Sequence, residues 1–534
     1  MKLSRRYASC AIVAAIALSA AGCGSGSGGG SGSGSSQSST GSGSTSSGGS
    51  SQTLTIGSNV APPTLDPTAS PAAAIDEVFD YNVYQHLVQL TPSGKLVPTL
   101  ASSYSSSNGG RTYTFHVRKG VKFSNGDPLT AADVVFSLKR VVAPKSVYPY
   151  KGLMSDMQSA RATGPETVQV TLKKRSWGWL YYLAAYSNGD VLDPKTVGHL
   201  ATKPVGTGPF QFKSQVSNYS VDLAPNSDYW GPKPAVAGVT FRYFSTAESE
   251  NTALQSGQIQ VIDNAINPLD INVFKSDSAK YQIIHGLTNG KIQVTINNTS
   301  GPLKKLAVRQ AIEYALNRPA IVKNAGGYGT PISSGAVPGD PWYVNLDSRY
   351  PYDPSKAKAL LSQAGYPHGL PLTLTLPPYG YATQAGTVVA SELSAVGIKT
   401  TIKNIQWPLW LSQVFTNHSY QLTIVDHVET RDIANYGNPA YYWNYAGAKT
   451  VARLEAEGDA APSQSQWVAK YKQVVHMITG DAVNAWLYDP DQVTIAAKNV
   501  VGLPATGRAE SFDLGHVRIG GLLPSSLTSE GYAN

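Results

Sequence analysis

The residues best equipped for chemistry fall in one short stretch. After the apolar run YQLTIVD at 420–426 come His427, Glu429, Arg431 and Asp432, followed by Tyr436, Tyr441, Tyr442 and Trp443. Aromatic walls with a few convergent polar groups are the composition of a ligand pocket. Asp432, and Asp426 at the end of the run, offer carboxylates. Arg431 suits a carboxylate, which it can hold through two parallel hydrogen bonds. His427 fits a structural hydrogen bond before it fits a ligand or metal contact. Glu429 offers a further carboxylate. The rival role for Asp432 is an ion pair with Arg431 or a turn cap. Trp407 and Trp410, three residues apart, share one face of a helix; that face either lines the cleft or packs into the core.

These groups do not assemble an enzyme. The chain has no GxSxG, HExxH, CxxC or Walker A string. Its 9 histidines show no metal-ligand spacing. No catalytic residue, cofactor or metal is expected, and a secreted hydrolase is the one reading from another functional class.

The elements that must position the stretch alternate between strand and helix. Val239–Phe244 reads as a strand, Thr246–Ser256 as a helix stopped by Gly257, and Ile259–Asp263 as a strand. Such a β-α-β unit implies parallel strands. Further on, Leu306–Leu316 carries an apolar stripe, and Asp353-Pro354 opens a helix that Gly365 stops. Strands follow at Leu372–Leu376, Ile398–Ile405 and Tyr420–Asp426, with helices at 381–396 and Trp407–Phe415. Ligands of open parallel sheets sit at the carboxyl ends of the strands, which is where the stretch from His427 begins. Upstream, 53–61 reads as a strand and 71–90 as a helix. The fold class is α/β.

Residues 98–142 have a clear local logic. Tyr113, Phe115 and Val117 alternate with polar residues, as in a half-buried strand. Thr130 and Asp133 form a capping box that opens a helix carrying Val134, Val135, Leu138 and Val141 inward. Ala143-Pro144 stops it. The wording LASSYSSSNGGRTYTFHVRKGVKFSNGDPLTAADVVFSL resembles the signature of family 5 extracellular solute-binding proteins, the peptide- and nickel-binding receptors of ABC importers. PVGTGPF at 204–210, NSDYWGPKP at 226–234, ALQSGQIQVID at 253–263, INNTSGPLKKLAVRQAIEYALNRPAIV at 296–322 and YDPSKAKALLSQAGY at 352–366 follow in the order of that family.

The resemblance implies a type II periplasmic-binding-protein-like fold, with two α/β lobes, a hinge and a smaller α+β insertion. The expected division is lobe I at 53–92, the insertion at 93–203, lobe I again at 204–295, lobe II at 296–488, and a return to lobe I at 489–534. Crossings near Ile296 and near Tyr488-Asp489-Pro490 would form the hinge. In the resembled family a Trp-x-x-Asp-Tyr-x-Asp-Pro loop supplies the aspartate that grips a peptide's α-ammonium. Asp432 or Asp426 occupies that neighbourhood here, with DHVETRDI in place of the tryptophan. The implied function is a receptor that binds peptides and passes them to a membrane permease. An oligosaccharide and a nickel chelate are the alternative ligands.

The amino terminus has its own logic. Lys2, Arg5 and Arg6, an apolar run from Ala8 to Leu18, and Ala20-Ala21-Gly22-Cys23 read as a signal peptide over 1–22. The run is too short to span a bilayer. Cys23 reads as a lipid-attachment cysteine, so the protein is expected on the outer side of the membrane, anchored through lipid. The rest of 23–52 is nearly all Gly, Ser and Thr, a tether that cannot bury enough surface to order itself. The net charge of +8 is dispersed with no dense Lys/Arg block, so no nucleic-acid partner is expected. A monomer is expected. With Cys10 in the signal and Cys23 at the anchor, a large core and not disulfides must hold the fold.

Overall fold

The computed structural model of the chain describes residues 52–70, 72–265, 268–429, 432–509 and 511–534. The expectations for the 1–22 signal, for Cys23, for the tether up to 51 and for Arg431 lie outside the described residues.

A 12-stranded sheet runs through the molecule. On one side, Thr53–Ser58 pairs in parallel with Gly238–Tyr243 and with Val261–Ile262. On the other, Leu370–Leu376 pairs in parallel with Ile398–Asn404 and Leu422–His427. The two sides meet in one strand, Asn484–Ala497. Its first part pairs with Lys291–Ile296 and its second with Tyr281–Leu287. Pro490, which has no N–H to give a ladder, sits where the partner changes. Lys291–Ile296, which precedes the expected crossing near Ile296, already pairs with Leu422–His427. All six residues of that strand are buried.

The local signals explain most elements. Thr246 caps helix Ala247–Gln255 by accepting from Ser249 N at 3.2 Å, and Gly257 ends it at φ +76°. Asp353 caps Pro354–Gln363 by accepting from Lys356 N at 2.9 Å. A separate antiparallel sheet, in the order Ala101–Ser107, Thr112–Val117, Thr167–Leu172, Met157–Gly164, lies within 93–203. Tyr113, Phe115 and Val117 face its core, where Val134, Leu138 and Val141 of helix Ala131–Val142 meet them. Val135 is only partly buried against that core.

One expected helix is much shorter. The span 71–90 is helical only over Ala73–Phe79, and Tyr81 takes φ +62°. Tertiary bonds outcompete the helix ladder there. The Asn82 side chain donates to Phe512 O at 2.9 Å and accepts from Leu514 N at 2.9 Å, and Tyr81 Oη donates to Ala184 O at 2.5 Å. The expected helix Trp407–Phe415 divides into Trp407–Trp410 and a wider π turn over Leu411–Thr416.

Candidate functional site

Leu422–His427 runs antiparallel to Lys291–Ile296, with His427 opposite Lys291. Beyond the ends of its parallel neighbour Leu370–Leu376 and of the next strand, Ile398–Asn404, stand Tyr379, Tyr381 and Trp407. Tyr379 stacks on Tyr381 at 5.7 Å and meets Trp407 edge-on at 5.2 Å, while Trp407 stacks on Trp410 at 4.7 Å. Trp407 is half-buried. Trp410 belongs to the core, with Nε1 donating to Thr423 Oγ1 at 2.9 Å. The pair of tryptophans therefore divides: one borders the surface and one anchors it.

The charged groups converge at the same strand end. Lys291 Nζ lies 3.2 Å from Asp432 Oδ1 and donates to Asn289 O at 2.6 Å. Both side chains are almost wholly buried. Burial works against the Lys291 ammonium, but Asp432 and Asp340 outweigh it and keep it protonated. Burial pushes Asp432 up to about 6, with the Lys291 charge restraining the rise. Asp426 is likewise pushed to about 6 by burial and faces the phenols of Tyr381 and Tyr488. The partner of Asp432 among the described residues is thus Lys291, a residue the sequence did not single out. His427 Nε2 lies 2.9 Å from Tyr442 Oη, and its Nδ1 lies 3.8 Å from the exposed Glu429 carboxylate.

The other aromatic residues take a different place from the one expected. Tyr436, Tyr441, Tyr442 and Trp443 are all buried, and they pack on one another, not on an open cleft. Tyr436 stacks on Trp443 at 4.2 Å, and Trp443 meets His427 edge-on at 5.6 Å. Rings of this size bury 150–250 Å² each, on the order of 4–6 kcal/mol at 25 cal/mol/Å². That gain draws the cluster into the core of the second half, where it fixes His427 and Asp432 from behind.

The opposite wall comes from far along the chain. Arg508, Leu90 and Tyr181 face Asp340, Trp342 and Trp467 across a cavity of about 20 Å³, room for a single water. Residues of both halves line this cavity. Arg508, Asp340 and Lys291 were not anticipated. The turn-rich VPGDPW at 337–342 was the only local signal for Asp340 and Trp342. The turn that joins the halves is braced by Thr288, whose N and Oγ1 donate to Asp489 Oδ1 at 3.1 and 3.0 Å. Trp177, beside the inserted sheet, donates from Nε1 to Ala461 O in the second half at 3.1 Å, and Arg175 donates to the same carbonyl.

At the strand ends of the first half lies a second acidic group. Glu77, Glu250 and Asp263 surround Ser58, Tyr243 and one another. Burial pushes Glu250 to about 8 and Asp263 to about 7. Among the described residues no ion pair reaches them. These arrangements can hold, orient and desolvate a charged solute.

The chain matches the description "Bacterial extracellular solute-binding proteins, family 5 Middle" over residues 95–452. It is 30% identical over 356 residues to the glutathione-binding protein GsiB of Escherichia coli K12, covering 65% of this chain and 68% of that one. It is 31% identical over 335 residues to the nickel-binding periplasmic protein of the same strain, covering 60% and 62%. Its fold superimposes with a TM-score of 0.70 on the Helicobacter pylori periplasmic binding protein DppA in complex with peptide STSA, at 23% identity, covering 88% of this chain and 98% of that one. The two-sided α/β sheet joined at a narrow crossing and this extended match agree: the chain belongs to the bacterial extracellular solute-binding proteins of family 5.

Proposed function

We propose that this protein is an extracytoplasmic receptor that captures peptides between its two halves and presents them to an ABC permease without altering them. The observation that carries the reading is the desolvated Lys291–Asp432 pair beside the Tyr379–Tyr381–Trp407 wall, at the strand ends next to the crossing between the halves. A receptor for peptides of varied sequence must grip what all peptides share, a main chain and two charged ends. Asp432 suits the α-ammonium, and Lys291 and Arg508 suit the carboxylate. Glutathione, for which one relative is named, is itself a tripeptide. The division into lobe I, insertion and lobe II at the expected boundaries accounts for closure as a hinge motion.

The test is calorimetry with a free-amine peptide and its N-acetylated form. Asp432→Ala weakens the free-amine peptide by about 2–5 kcal/mol, the usual cost of stranding one partner of a buried charge pair. The acetylated peptide, with no ammonium, loses little. Equal losses remove Asp432 as the anchor, and binding of neutral sugars without peptides removes the peptide reading.

A nickel chelate is a second reading, favoured by ligand atoms of His427, Glu429 and Asp432 within 4.8 Å of one another. The Lys291 ammonium beside Asp432 opposes it, since like charges repel. Nickel binding in the same calorimeter, with no peptide binding, selects that alternative. Cys23 is the lipid anchor in this reading. A lipid-labelled band that disappears from Cys23→Ser is the expected result.

A further inference from the structure

A deeply buried charged cluster lies away from the cleft, where the first half meets the inserted sheet. Asp80 follows helix Ala73–Phe79, and Asp190 follows the turn Ser187–Gly189. Between them, His86 Nε2 lies 2.8 Å from Asp80 Oδ1 and 3.1 Å from Asp190 Oδ1. The three side chains are at most 3% exposed.

The ring is fixed from the other side. His86 Nδ1 lies 3.1 Å from Ala184 O, which can only accept, so Nδ1 carries a proton and donates it. Tyr81 meets the ring edge-on at 5.2 Å. Gly189 packs so closely that a Cβ there would stand 2.7 Å from His86 Cγ. Such second contacts hold metal-binding histidines in one tautomer and orientation. They leave Nε2 facing both carboxylates, within 2.8 Å of one and 3.1 Å of the other.

A proton on Nε2 satisfies this arrangement only in part. Its one N–H direction meets Asp190 Oδ1. Asp80 Oδ1, 2.8 Å from Nε2, lies off that N–H direction, and no N–H or O–H is directed at Asp190 Oδ2. An imidazolium between two carboxylates also leaves one negative charge uncompensated in a dry interior, which is costly. A divalent cation on the Nε2 lone pair would replace the proton, meet both carboxylates and cancel their charge. One imidazole with carboxylate oxygens is a donor set suited to zinc or manganese.

We propose that Asp80, His86 and Asp190 form a buried divalent-metal site of the zinc type that clips the inserted sheet to the first half. No cysteine follows Cys23 in the chain, so a metal would serve where small exported folds use a disulfide. The three groups are closed to solvent, so the ion enters as the chain folds, and its binding free energy is folding free energy.

The experiment uses the full chain, purified without an affinity metal or chelator, and elemental analysis. About one zinc or manganese ion per chain is expected. The protein is then unfolded in EDTA and refolded either in EDTA or in zinc sulfate. The melting temperature of the zinc sample rises with free zinc, as mass action requires for an ion that binds only the native state. Asp190→Asn keeps the shape of the side chain and lowers metal content or affinity at least about tenfold. Asp491→Asn, at the solvent-facing His285 pair, leaves both unchanged. A metal-free chain whose melting is the same in zinc and in EDTA overturns the proposal in favour of a proton-bridged triad. So does Asp190→Asn that retains the full metal content. If Asp190→Asn does not fold, the wild-type zinc and EDTA samples decide the question alone.

Discussion

The two strand-end pockets handle the same problem differently. In the second half, Asp426 and Asp432 are buried beside the Lys291 ammonium, and both settle at about 6. In the first half, Glu250 and Asp263 are buried with other carboxyls and rise to about 8 and 7. A cation supplied by the chain keeps a buried carboxylate ionised near neutral pH; without one, the carboxyl retains its proton. The first pocket is charged. The second is close to neutral, and its protons are part of the native structure.

The largest effect should come from removing the cation. Lys291→Met strands Asp432 and Asp426 and should cost about 3–5 kcal/mol in denaturant unfolding at pH 7. Lys291→Met with Asp432→Asn should recover much of that loss. Recovery of nothing would show that Lys291 acts through packing and not through charge, and would end the contrast between the pockets.

The next effect has the opposite sign. A carboxyl whose folded pKa exceeds its unfolded value binds its proton more tightly in the native state. The stability it contributes is fully present in acid and is lost as pH rises from about 4.5 through about 8 for Glu250. Glu250→Gln should therefore stabilise the protein at pH 8, by about 1–3 kcal/mol, and change little at pH 5. Melting temperatures across that range check it. A Gln variant that is destabilised equally at both values would mean the carboxylate is wanted in its charged form.

The smallest effect refines the contrast within one pocket. The hydrogen bond from Ser58 holds Asp263 below the value that burial alone would give. Ser58→Ala should raise the Asp263 titration further, at a cost of about 0.5–1.5 kcal/mol at neutral pH. Carboxyl-carbon NMR follows that titration directly, and an unshifted Asp263 signal would remove Ser58 from the pocket.

The legible parts of this molecule were the local ones. The Thr130–Asp133 capping box, the Asp353-Pro354 helix start and the β-α-β unit from Gly238 to Ile262 are set by neighbours along the chain, and each forms as its residues indicate. That Asp432 follows a strand end was legible too, because an apolar run giving way to mixed charge and rings is a local pattern. What surrounds Asp432 was not. Lys291 reaches Asp432 only through the pairing of Lys291–Ile296 with Leu422–His427, and Arg508 returns from the last part of the chain. Tyr436, Tyr441, Tyr442 and Trp443 were read as pocket walls because composition does not distinguish a wall from a core. Helix 71–90 stopped early because Asn82 is bonded to Phe512 and Leu514, partners that no local window contains.

The strand Asn484–Ala497 also sets the order in which this protein can fold. Its first residues complete the sheet of one half and its last residues complete the other. Neither half has its full set of strands until this late segment is available. Such long-range pairing slows folding and leaves unpaired edges exposed in the meantime. The two halves therefore finish together, when the same strand arrives to complete both sheets.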